Sequence, residues 1–144
     1  LAFDPERDLA LLRVDSTIAP LQLESPLAGQ LAGVIGHPGG GPLRTVPIRL
    51  VERVTAHARD LHDSVDTTRK VWFAAAKLQT GDSGAPVIDT NGAVVAVIFA
   101  VAPPNASDYE RTAYALDRSE IAGFMAEVTA FGDRTVVNTG KCLG

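Results

Sequence analysis

Turn-forming residues cut this sequence into short apolar runs, and that rhythm constrains the fold more than any other feature. Asp8 to Val14 reads as a short strand buried on both faces. Gln30 to Ile35 is a second, closed by His37-Pro38-Gly39-Gly40-Gly41-Pro42. Leu43 to Thr55 alternates, with Val46, Ile48, Leu50 and, in one register, Val54 on a shared face. Glu52 and Arg53 resist burial there and leave that register open. Ala56 to Asp66, with His57, Asp60, His62 and Asp63, is polar and reads as a surface loop. Val71 to Ala76 resumes an apolar strand. Ala85 to Ile88 and Ala93 to Ala100 form a hairpin around Asp89-Thr90-Asn91-Gly92, where Asn-Gly supplies the positive φ of a tight reversal. Thr112 to Leu116 returns after Pro103-Pro104-Asn105.

One helix stands out, near the end. Asp117 and Glu120 have capping-box spacing. Ile121, Phe124, Met125 and Val128 then line one face, and Gly132 is a stop. About eight short strands and a single terminal helix predict an all-β barrel or sandwich rather than an alternating α/β fold. The 144 residues suffice for one domain with a real core. A net charge of −4 gives no electrostatic reason to expect nucleic acid as a partner. No apolar run is long enough to cross a bilayer. Asn105-Ala106-Ser107 matches a glycosylation sequon and reads as a chance match in a loop.

Gly81-Asp82-Ser83-Gly84-Ala85-Pro86 is the stretch with chemistry in it. A serine hydroxyl is a weak nucleophile unless a base removes its proton. The oxyanion it creates needs preorganised N–H donors. Glycines on both sides let the backbone turn sharply and bring the N–H groups of Gly81 and Ser83 to one point. A tight turn without chemistry is the alternative reading of the tetrapeptide alone. The apolar strand before it and the Pro-Val-Ile, turn and apolar strand after it favour the nucleophile.

In this context the chain resembles the trypsin/chymotrypsin superfamily, whose nucleophile motif is Gly-Asp-Ser-Gly-Gly-Pro. Five of those six residues match, with Ala85 in place of the second glycine. Asp8-Leu9-Ala10-Leu11-Leu12 resembles the stretch that carries the triad aspartate, about 75 residues before Ser83. The resemblance implies a chymotrypsin-like double β-barrel, with residues 1–144 holding the end of the first barrel, the whole second barrel and the C-terminal helix. It implies Ser83 as nucleophile, Asp8 as the acid that orients a histidine, and Gly81 and Ser83 as the oxyanion hole. It implies a peptide or protein substrate and no cofactor. Gly36 to Pro42 and Thr139-Gly140-Lys141-Cys142 are similar, more narrowly, to membrane-anchored periplasmic acid-resistance proteases of actinobacteria. That likeness implies an extracytoplasmic location, with any membrane contact made through a separate N-terminal domain. It also implies that Cys142, the one cysteine, is half of a disulfide whose partner lies upstream; a free surface thiol is the other reading.

In that superfamily the triad runs His, Asp, Ser along the chain, and no histidine precedes Asp8 here. His37, His57 and His62 lie between Asp8 and Ser83. The Asp-His-Ser order of subtilisin does not fit, because that fold needs a parallel sheet with several helices. The α/β-hydrolase order needs a histidine after the serine, and none follows Ser83. The expectation is therefore a histidine supplied upstream of this chain. His37 reads as a turn residue and His57 and His62 as solvated; their spacing matches no metal motif, so no metal is expected.

The resemblance also places Lys77, six residues before Ser83, at the base of the primary specificity pocket, with Phe99, Ala100 and Val101 as one wall. Alternatively the loop differs in length and Lys77 reaches solvent. A non-catalytic peptide-binding or scaffolding module is the competing function.

Overall fold

The computed structural model describes residues 2–79, 81–101, 112–131 and 137–140. Six strands close into one antiparallel barrel in the order β3-β4-β5-β8-β7-β6. They are β3 (Leu31–Gly36), β4 (Arg44–Arg59), β5 (Asp66–Ala75), β6 (Pro86–Ile88), β7 (Val94–Val101) and β8 (Thr112–Asp117). Helix α1 (Arg118–Phe131) follows, and a two-stranded hairpin, β1 (Ala2–Asp4) with β2 (Leu9–Leu11), precedes the barrel. This is the all-β chymotrypsin-like architecture that the sequence predicts.

The barrel interior is filled by the alternating positions of its strands. Val46, Ile48 and Leu50 of β4 meet Val34, Trp72, Val87, Val95 and Ile98, all buried. A fully buried aliphatic side chain of this kind contributes roughly 1.5–3 kcal/mol. At Val51 an extra residue interrupts the β4–β5 ladder, since Leu50 faces Ala74 and Glu52 faces Phe73. That bulge resolves the register left open by Glu52 and Arg53. Val54 is only half-buried, and Arg53 turns to the Asp117 carboxylate, with Nε at 2.9 Å and Nη2 at 3.0 Å.

Several expectations are corrected. Ala56 to Arg59 is not loop: it extends β4 and pairs with Asp66 to Arg69 of β5, leaving a tight turn at residues 60–65. The polar side chains misled because this end of the ribbon lies in water. The turn closes on Asp60, which accepts from Ser64 N–H at 2.6 Å, Ser64 Oγ at 2.7 Å and Val65 N–H at 3.2 Å. The run from Asp8 is a strand only over Leu9–Leu11, and Leu12 and Val14 are exposed rather than buried on both faces. The capping box forms by half. Asp117 accepts from Ser119 N–H at 2.9 Å, but Glu120 takes Lys70 N–H at 3.1 Å and lies 3.4 Å from Arg7 Nε. On the helix, Phe124 is buried while Met125 is exposed. Gly132, Asn105 and the Pro103-Pro104 break lie outside the described residues.

Candidate active site

The Gly-Asp-Ser-Gly loop lies between β5 and β6, and its described residues are 79 and 81–85. From Gly81 to Gly84, unbonded and bonded N–H groups alternate among the described residues. The N–H of Asp82 donates to Gln79 O at 3.1 Å, that of Gly84 to Ile98 O at 2.7 Å, and that of Ala85 to Asp82 O at 3.1 Å. Among the described residues the N–H groups of Gly81 and Ser83 have no such partner. An oxyanion hole requires preorganised N–H donors of this kind, without a partner in the protein. Gly81 and Gly84 hold φ of 98° and 84°, a region costly for any residue with a Cβ. A side chain at Gly81 would also place its Cβ 2.6 Å from the Gly39 nitrogen. Thus Gly81 of the Gly-Asp-Ser-Gly loop rests against the Gly-rich turn at Pro38–Gly40.

Side chains on this loop point alternately as well. Asp82 is buried and Ser83 is exposed. The Asp82 carboxylate accepts from Gln79 N–H at 2.8 Å and from Arg44 Nη2 at 2.8 Å. Arg44 was not singled out in the sequence; its proximity to the Gly-rich turn is the one local signal. Ser83 Oγ donates to the Phe99 carbonyl at 3.4 Å. That carbonyl is accessible because Phe99 is a bulge residue: Ile98 faces Ala115 and Ala100 faces Tyr114. The same bulge swings the Phe99 ring toward Tyr114, 6.3 Å between centroids, with Phe73 beyond Tyr114 at 5.4 Å.

Asp8 sits in the turn between β1 and β2, exposed and at φ 58°. The preceding residues fasten that turn. Asp4 Oδ1 accepts the N–H of Glu6 at 2.9 Å and of Arg7 at 3.0 Å. The Arg7 guanidinium donates to Asp4 Oδ2 at 2.6 Å and to both oxygens of Glu127 on α1, at 2.8 and 2.7 Å. The turn that presents Asp8 is therefore tied to the helix. Among the described residues, no histidine bonds Ser83. The His37 Nδ1–H donates to Gly41 O at 2.9 Å, His57 is exposed on β4, and His62 packs edge-on against Phe3 with Gly140 over it. The described residues hold no cluster suited to a metal.

Lys77 is exposed and borders a groove with Leu31, Val46 and Ala76, on the β3–β4 side of the barrel. Phe99, Ala100 and Val101 are consecutive and half-buried on β7, with Phe99 at the bulge. Cys142 lies outside the described residues.

Residues 1–97 match the family model of the trypsin-like peptidase domain. This chain belongs to the trypsin-like peptidase family. The serine protease Rv3671c of Mycobacterium tuberculosis H37Rv is 33% identical over 147 residues, which take in 99% of this chain and 35% of that protein. This trypsin-like chain thus spans about a third of its curated relative's length. The solved active form of the Rv3671c protease overlays 98% of the chain and 61% of that structure at 34% identity, with a TM-score of 0.85. An HtrA-type protease, AlgW with decapeptide, shares the fold at 20% identity and a TM-score of 0.70 over 90% of the chain and 39% of its own.

Proposed function

We propose that this chain carries the second barrel, nucleophile and acid of a serine endopeptidase. The carrying observation is the state of the nucleophile loop: Ser83 exposed, Asp82 anchored to Arg44, and the N–H groups of Gly81 and Ser83 free of partners among the described residues. In the reaction, Ser83 Oγ attacks the scissile carbonyl carbon as a histidine takes its proton. The carbonyl oxygen becomes an oxyanion facing the Gly81 and Ser83 N–H groups. The C–N bond breaks as the histidine returns the proton to the leaving amine, giving an acyl-enzyme ester on Ser83. Water, deprotonated by the same histidine, then releases the acid and restores the hydroxyl. Asp8 orients that histidine, which the upstream part of the whole protein supplies. Substrates are peptides or proteins. The whole protein acts outside the cytoplasm, with any membrane contact made by a domain other than this one, and Cys142 pairs with an upstream cysteine. A scaffolding module would need neither the exposed serine nor the buried Asp82 anchor.

The test uses the full-length protein and a fluorophosphonate probe. Ser83→Ala abolishes labelling and peptide hydrolysis while the fold persists. Asp8→Asn lowers kcat by on the order of 10⁴ through the wrong histidine tautomer. Undiminished turnover in Ser83→Ala would remove the assignment.

A further inference from the structure

Arg69, on β5, is only 6% exposed. A guanidinium stays charged in a protein, and burying one is costly unless its donors are used. Among the described residues its partners include no carboxylate. Nε donates to the Glu6 carbonyl, Nη2 donates to the Arg59 carbonyl at 3.2 Å, and the guanidinium carbon stands 5.8 Å from the centre of the Phe99 ring. Glu6 is two residues ahead of Asp8. The same stretch is held by Thr67 Oγ1, which donates to Glu6 O at 3.4 Å, and by Leu61 N–H, which donates to Pro5 O at 3.0 Å. Asp8 follows in that fastened turn at φ 58°, a left-handed conformation that aspartate adopts in turns. At the other end of Arg69, Phe99 is the bulge residue whose carbonyl accepts from Ser83.

We infer that Arg69 is a positioning residue, bridging the turn that presents Asp8 to β7, whose Phe99 carbonyl accepts from Ser83. This rests on the roles proposed above for those two residues. An apolar side chain would pack against Phe99 equally well but would offer the Glu6 carbonyl no donor. The buried cation therefore does what simple core filling does not: it joins two segments more than ninety residues apart in sequence, one carrying the acid and the other touching the nucleophile.

The test is a double-mutant cycle in the full-length protein, with kcat and KM measured separately. Arg69→Met should lower kcat about 10- to 100-fold, the loss that a misplacement near 1 Å produces, with KM little changed. In an Asp8→Asn background the same substitution should take away little more, because the acid it positions is already lost. Equal loss in both backgrounds, or a lowered melting temperature with kcat intact, would overturn the inference. If Arg69→Met does not fold, Arg69→Lys decides. It keeps the charge but cannot reach both carbonyls, so a several-fold drop in kcat is expected and a wild-type kcat refutes the proposal. An Asp8→Asn protein with wild-type kcat but a labelled Ser83 would remove the reading of Asp8 instead, and this inference with it.

Discussion

Arg44 Nη2 lies 2.8 Å from the buried Asp82 carboxylate, one residue before Ser83. The pair draws the Asp82 side chain inward and so turns its neighbour outward. Arg44→Met would leave a buried carboxylate with only the Gln79 N–H, and breaking a buried pair costs about 3–5 kcal/mol. Arg44 is partly exposed, so solvent screening brings the loss here below that range. In the full-length protein, Arg44→Met should slow fluorophosphonate labelling at least tenfold, while Arg44→Lys keeps a measurable part. Labelling at the wild-type rate in Arg44→Met would show that the loop holds its shape without the anchor.

Gly81 tolerates no side chain. Its φ of 98° is one obstacle and the Gly39 nitrogen, 2.6 Å from an added Cβ, is another. Backbone cannot move aside as a flexible side chain would. Gly81→Ala should displace one oxyanion donor and cost on the order of 10²–10³ in kcat, the scale of losing such a donor elsewhere. Steady-state kinetics on the full-length variant would check it; a kcat within a factor of a few of wild type would place the oxyanion donors elsewhere.

Much of this could be read from the sequence where one side chain or one dipeptide decides the geometry. The Asn91-Gly92 hairpin, the burial of Val46, Ile48 and Leu50, and the glycines around Ser83 are of that kind. Gly92 at φ 86° and the Asp89 carboxylate accepting from Asn91 N–H and Ala93 N–H complete the reversal. What could not be read depends on partners distant in the chain. Arg44 and Asp82 are 38 residues apart, and Arg53 and Asp117 are 64 apart. The bulges at Val51 and Phe99 leave no trace in composition, since each is one extra residue in an otherwise regular apolar run. Polar outward faces concealed Ala56–Arg59, the end of β4, because alternation signals burial and that ribbon end has little to bury.

The three histidines of this chain should be dispensable for catalysis. His37 closes a turn through Gly41, and His62 is packed between Phe3 and Gly140. Single Gln substitutions at His37, His57 and His62 in the full-length protein should leave kcat within a few-fold of wild type. A collapse of kcat in one of them, with the fold retained, would make that residue the base.

Two carboxyls predict the acid limb of stability. Burial raises the Asp117 pKa, but Arg53, Ser119 and Trp72 outweigh it and hold the group down to about 2. Asp60 is held to about 2 chiefly by the Ser64 hydroxyl and N–H. A folded pKa below the unfolded value of about 3.9 stabilises the fold at pH above that value. The contribution declines as pH falls below the unfolded value and is gone only once pH has passed below about 2, where both states are protonated. The urea midpoint should therefore stay nearly level from about pH 7 to 5 and drop between about pH 4 and 2. Asp117→Leu should flatten that drop and, by stranding the Trp72 Nε1–H now bonded at 2.8 Å, cost about 1–3 kcal/mol. A midpoint that falls mainly above pH 5 would assign the limb to other groups.

Cleavage should disfavour basic residues. On the proposed assignment Phe99, Ala100 and Val101 give the pocket an apolar wall, and the Phe99 ring clusters with Tyr114 and Phe73. Behind Phe99 stands the buried Arg69, whose fixed positive charge repels a cation entering from the other side of the ring. Asp117, the last residue of β8, is already occupied by Arg53 and Trp72. A cationic side chain would thus lose hydration and meet like charge, whereas an apolar one would bury area against Phe99. Peptide-library profiling of the full-length enzyme should give apolar residues at the cleavage site, with Arg and Lys depleted. Removing the charge with Arg69→Met should raise the relative rate at basic sites even as total turnover falls. Dominant cleavage after Arg or Lys in the wild-type enzyme would refute this, and would require a carboxylate at the pocket that the described residues do not supply.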